Sequence, residues 1–207
     1  MSPAECATLN PGEQFAIAFW AKHGFEAVRF GKAEMRKSKT PDFRIFKEDQ
    51  FILYCEAKHV QYDGWLDEQL ATPKPLGLVG GLRHDPVFNR LSSHIHLAAQ
   101  QFDAVNHDQE FPNILVFTNS DSHCGFPDLL AVVTGNFYAE SGAVESIYKN
   151  ISDGRIREEK LTIDLYVWFN EWKGSQQKGS SIFNRGSKHY AVLCALLGSD
   201  PSGHRRV

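Results

Sequence analysis

Apolar residues fall along this chain in two rhythms. Between Pro41 and Val60 they come in short runs, Phe43 to Phe46 and Phe51 to Val60, with Lys47 to Gln50 as the polar break. Runs of this length, rich in aromatic and β-branched residues, predict two strands joined by a tight turn. A three-residue loop centred on Asp49 would place residue 43 opposite 55 and residue 42 opposite 56. Elsewhere the spacing is three and four. Asn10-Pro11-Gly12-Glu13 carries the start signals of a helix: an N-cap Asn, Pro at the first helical position and Glu three residues after the cap. That helix holds Phe15, Ile17, Ala18, Phe19 and Trp20 and ends near His23-Gly24. Asp85-Pro86 opens a second helix, reaching about His107, with Phe88, Leu91, Ile95, Ala98, Phe102 and Val105 as its buried stripe.

Around these lie further elements. Phe25 to Phe30 reads as a short strand and Asn113 to Asn119 as a buried central strand. Gln61 to Asp85 is a long irregular stretch, of a length that is usually functional or disordered. Pro127-Asp128 reads as a turn, and Asp128 to Thr134 as a strand or short helix. Phe137 to Ile151 reads as a helix, followed by a turn at Asp153-Gly154. Leu161 to Phe169 alternates as a strand, Gly174 to Gly179 is a polar loop, and His189 to Leu197 is a helix. The tail from Pro201 is expected to be disordered.

At 207 residues, 42% hydrophobic and 12% aromatic, the chain suits one domain with a proper core. No run of eighteen apolar residues predicts a membrane span. The N-terminus lacks a basic segment followed by an apolar one, and the four cysteines have no Cys-x-x-Cys spacing, so a cytoplasmic protein is expected. Cys55 and Cys194 read as small core residues. The net charge of −3 counts mildly against a non-specific DNA binder. Distribution changes that picture. Arg29, Lys32, Arg36, Lys37 and Lys39 stand against the single acid Glu34, in a loop running straight into Pro41-Asp42. Trp168, Trp172, Lys173, Lys178, Arg185 and Lys188 are candidates for a second nucleic-acid contact surface. His59, His84, His94, His96, His107 and His123 lack the spacing of a zinc site.

The chemistry concentrates in the hairpin. Glu56 and Lys58 share strand parity, so both project from one face about 7 Å apart. Asp42 and Glu56, opposed across the strands at roughly 5 Å, repel by about 3 kcal/mol at an effective dielectric near 20. Lys58 cannot neutralise both acids. A hard divalent cation can, and magnesium suits such oxygen ligands and accepts substrate phosphate. Its bound water, beside the Lys58 ammonium, would be a nucleophile for attack on phosphorus.

Pro41-Asp42, thirteen intervening residues, then Glu56-Ala57-Lys58 resembles the PD-(D/E)XK nuclease superfamily. The resemblance covers the motif and the order of elements over about residues 8 to 120. It implies an α/β fold with a restriction-endonuclease-like core, a mixed central β-sheet flanked by helices in αβββαβ order. The chain is then a single domain over 1–207, with a core at about 8–120, a C-terminal elaboration over 121–200 and a tail at 201–207. The resemblance also implies Mg2+, with Mn2+ as substitute, held by Asp42, Glu56 and the Ala57 carbonyl, with Glu13 as a further candidate ligand. Lys58 takes a catalytic role, and Lys32, Arg36, Lys37, Lys39 and Gln100 are candidates to contact nucleic acid. Some branches of the superfamily pair a helical Gln with a Tyr four residues on; here Gln100 precedes Ala104 and Gln101 precedes Val105. The expected activity is a DNA endonuclease, RNA remaining open as a substrate, and paired cuts on a duplex would call for a homodimer. The alternative is a non-catalytic subunit of the same fold that binds nucleic acid or protein.

Overall fold

The computed structural model describes residues 9–61, 71, 87–139, 141–147, 156–171 and 179–200. A six-stranded mixed sheet runs through them, with helices on both faces. In chain order come α1 (Pro11–Lys22), β1 (Glu26–Arg29), a single turn α2 (Lys32–Met35), β2 (Phe43–Lys47), β3 (Gln50–Val60), α3 (Val87–Asp103) and β4 (Asn113–Asn119). There follow α4 (Phe126–Thr134), β5 (Asn136–Tyr138), β6 (Val144–Ser146), α5 (Glu159–Thr162), β7 (Leu165–Asn170), β8 (Ser180–Phe183) and α6 (Tyr190–Leu196). The sheet order is β1-β2-β3-β4-β7-β8. The first three strands form an antiparallel meander, β3, β4 and β7 are parallel, and β8 returns antiparallel.

Strand parity divides the core in two. Phe43, Ile45, Leu53, Cys55, Ala57, Ile114 and Val116 face α1 and α6, where Ala16, Trp20, Leu193 and Cys194 close over them. Val60, Leu115, Phe117, Tyr166 and Trp168 face α3 and α4, under Leu91, Ile95, Ala98, Phe102, Leu129 and Val132. β4 is buried along its whole length, as its uninterrupted apolar run requires.

The N-terminal signals of α1 are realised in full. Asn10 Oδ1 accepts from the Glu13 N–H at 2.9 Å and Glu13 Oε2 accepts from the Asn10 N–H at 2.7 Å. At Gly12 the start of α1 lies close on the sheet. A β-carbon there would stand 3.4 Å from the Lys58 carbonyl carbon and 3.2 Å from Thr118 Oγ1.

The β2–β3 hairpin reaches its expected register by a different route. Phe43 does pair with Cys55. The connection, however, is a two-residue turn, with Glu48 and Asp49 both left-handed at φ 50° and 63°. That turn pairs Lys47 with Gln50 and Phe46 with Phe51, one residue out of step with the rest. An irregularity between Ile45 and Phe46, with Ile45 opposite Leu53, restores the step.

Several expectations give way. Phe137 to Ile151 is not a helix where it is described: β5 and β6 form a small hairpin, turned at Gly142 with φ 84°. Pro127-Asp128 is no free turn but the first turn of α4, Asp128 Oδ2 accepting from the Gly125 N–H at 2.8 Å. The strand expected from Leu161 begins at Leu165, because 159–162 close a helical turn and the buried Asp164 accepts from the Asn113 N–H at 2.7 Å. α3 ends at Asp103, short of His107. Residues 121–200 are more than an elaboration: β7 pairs along β4 and carries β8, completing the central sheet. Trp168, expected at a contact surface, is buried at 1% exposure, its indole N–H donating to Asn170. Trp172, Lys173, Lys178, the Asp85-Pro86 start, the Asp153-Gly154 turn, the tail from Pro201 and nearly all of the Gln61–Asp85 stretch lie outside the described residues. No helix among the described residues is long and apolar enough to cross a membrane.

Candidate active site

Strand alternation puts Glu56 and Lys58 on the α3 face of β3, and the Phe43–Cys55 pairing brings Asp42, just before β2, level with Glu56. The two acids are cross-braced through the backbone. Asp42 N–H donates to Glu56 Oε2 at 2.9 Å, and Ala57 N–H donates to Asp42 Oδ2 at 2.9 Å. Lys58 Nζ pairs with Glu56 Oε1. Glu56 is 1% exposed, whereas Lys58 keeps a partly open side chain.

Burial makes charge expensive here. It pushes the Glu56 carboxyl up to about 8, the neighbouring Asp42 charge adding to the rise while Lys58 opposes it. Burial also raises Asp42, held back by the Ala57 N–H and the Lys58 charge. Both shifts run the same way, so the site favours added positive charge. Among the described residues no three His, Cys, Asp or Glu side chains form a ready metal cluster, so a third ligand would come from the main chain.

α3 supplies the next layer, through a residue beside the expected one. Gln101, not Gln100, reaches the acids' lysine: Lys58 Nζ donates to its Oε1 at 3.3 Å, and its Nε2 donates to the Thr40 carbonyl at 2.8 Å. Gln100, rotated about 100° around the helix, instead accepts from Lys39 Nζ at 2.7 Å and contacts His96 Nε2 at 2.6 Å. His94 lies two turns before Gln101 on the same face and packs its ring edge-on to Phe117 at 6.3 Å between centroids. Sequence reasoning missed Gln101 and His94. A seven-residue spacing facing the hairpin was the available signal.

Glu13 is committed elsewhere. One carboxylate oxygen caps α1 and the other accepts from Arg29 Nη2 at 2.8 Å, so each already holds a partner. Arg29 lies close enough for its charge to be felt at Asp42. Lys32, Arg36, Lys37 and Lys39 are exposed along α2 and the segment leading to Asp42, and only Lys39 is tied to α3.

A second polar cluster closes the sheet ends behind this site. His59, of opposite parity to Lys58, approaches Thr118 Oγ1 at 2.9 Å, Ser120 Oγ at 3.3 Å and Glu171 Oε1 at 3.5 Å. It joins the ends of β3, β4 and β7.

No family model, curated protein or solved structure matches this chain.

Proposed function

We propose that the chain is a metal-dependent DNA endonuclease of the restriction-endonuclease-like type, hydrolysing phosphodiester bonds with two acids and a lysine carried on a β-hairpin. The observation that carries the reading is the convergence of Asp42, Glu56 and Lys58 at one partly open spot, braced by backbone donors from both strands. The succession of α1, the β1–β3 meander, α3 and a parallel β4 supports it as well.

The donor set fits Mg2+ or Mn2+. Two carboxylates against one ammonium leave negative charge over, in hard oxygen donors, and Asp42, Glu56 and the Ala57 carbonyl would be the ligands. Such an ion supplies a water of lowered pKa and positive charge for the phosphoryl oxygens. The chain's own residues do the rest. Glu56 must shed its proton, and Lys58 must leave Glu56 to orient the attacking water and steady charge developing on phosphorus. Gln101 limits how far Lys58 swings and ties the segment before Asp42 to α3.

Plasmid incubated with magnesium is expected to be cut, with Asp42→Ala and Lys58→Ala each lowering the rate by about 100-fold or more. Cleavage that survives both substitutions removes the proposal. One feature favours the alternative of a non-catalytic binding subunit: Lys58 and Glu56 already satisfy each other. Calorimetry with manganese separates the two, since heat that depends on Asp42 and Glu56 belongs only to the catalytic reading.

A further inference from the structure

We propose that His94 forms, with Lys58, a subsite for a phosphate of the nucleic-acid backbone between α3 and the sheet, adjoining the phosphate to be cut. This rests on the nuclease reading and names one contact within it. The first observation is an imidazole without a partner. The rings of His23, His59, His96 and His189 are each bonded, to Phe19 O, Thr118, Glu159 and Gln109 O. His94 is half-buried, yet its ring has no hydrogen bond among the described residues. Its ring nitrogens are not among the described buried polar atoms left without a partner, so they stay within reach of water and of a ligand.

The second observation is placement. Phe117, on which the ring packs at 6.3 Å between centroids, is the β4 partner of Lys58, so His94 lies over the strand next to the one that carries the ammonium. Gln101, two turns on, bonds that same ammonium. The charges felt at the ring are cationic: Lys58 from β3 and Arg90 one turn earlier on α3. Carboxylates nearby are already engaged, Glu56 by Lys58 and Asp121 by Arg90 at 2.7 Å. Burial and these two cations hold the imidazole neutral, down to about 4. A neutral ring keeps one N–H to donate, in a field that draws anions. The complement of an N–H donor beside an ammonium is an oxyanion, and a phosphodiester presents one.

The test uses the intact protein labelled at histidine and kept in EDTA, so that nothing is cut. Its His94 ring signals, assigned by their loss in His94→Gln, are followed by NMR during titration with a short DNA duplex. Parallel titrations use the same duplex with neutral methylphosphonate linkages and inorganic phosphate alone. The ring signals are expected to move with native DNA and to move much less with the neutral backbone. His94→Gln and His94→Ala, checked for an unchanged melting curve, should raise Kd about tenfold and to a similar degree for any sequence. Signals that stay still while the DNA binds, or that respond only to inorganic phosphate, overturn the subsite. If cleavage needs Asp42 but ignores His94, and the ring signals stay still, the subsite falls and the nuclease reading stands. If the ring responds to DNA in a chain that never cuts, the reading falls and the subsite stands. A chain that binds no DNA loses both.

Discussion

At the scale of single residues the buried acids dominate. Both carboxyls hold their protons more tightly in the folded chain than unfolded. The Glu56 contribution to stability is therefore complete below about pH 4.5, the ordinary glutamate value, and fades as pH rises through about 8, and Asp42 acts in the same direction. His94 acts oppositely. Its pKa is lowered from 6.5 to about 4, so its contribution holds above 6.5 and fades as pH falls through 4. Thermal melts across pH 4 to 9 without metal should show a loss on the alkaline side that Glu56→Gln flattens. On the nuclease reading, magnesium competes with the Glu56 proton, so its stabilising increment should grow with pH over the same range. Gln101→Ala frees Lys58 and the Thr40 carbonyl together. The expected effect is about a tenfold drop in kcat with KM little changed, read from steady-state cleavage. The meeting of Asp42, Glu56 and Lys58 was legible because strand parity relates Glu56 to Lys58 and the expected pairing of 43 with 55, reached here by another turn, brings Asp42 level with Glu56. Gln101 was not, because choosing it over Gln100 needs the position of Lys58 relative to α3 in the folded chain, which no local spacing records.

Elements were legible where local chemistry speaks loudly. The capping box of α1, the stripe of α3 and the buried run of β4 each formed as their residues dictate. They blurred where short segments borrow stability from neighbours. Phe137 to Ser146 lacks a strand pattern, and only Gly135 and Gly142, at φ 75° and 84°, end α4 and turn the hairpin. The β2–β3 turn carries a local misfit, since Glu48 is a poor residue for a left-handed position. Replacing Glu48-Asp49 with Asn-Gly should relieve it. The double variant is expected to gain about 1 kcal/mol, seen as a higher denaturant midpoint with an unchanged slope. No gain would mean that the irregularity beside Phe46, rather than the turn, sets the hairpin's register.

For the molecule as a whole, the parallel pairing of β4 with β7 is decisive. Nothing in the local sequence announces it, because partners some fifty residues apart leave no periodic trace, and the expected core therefore stopped at about residue 120. Ending the chain at Ser120 would strip β4 of its β7 partner and uncover Leu115 and Phe117, both fully buried. An open, apolar edge of that kind invites aggregation. The 1–120 fragment is expected to be insoluble or to lack a cooperative melt, whereas the full chain melts in one transition. A folded, soluble fragment would show that β7 and β8 are dispensable.

Trp20 offers a different consequence. Its indole N–H donates to Cys55 Sγ at 3.2 Å, across the layer between α1 and the strand that carries Glu56. Burial raises that thiol far above its usual range, so it is inert to alkylating agents while the layer is shut. The sulfur thus serves as a chemical clock. Each alkylation at residue 55 timestamps one opening of the layer that the first and last helices close behind the acid pair.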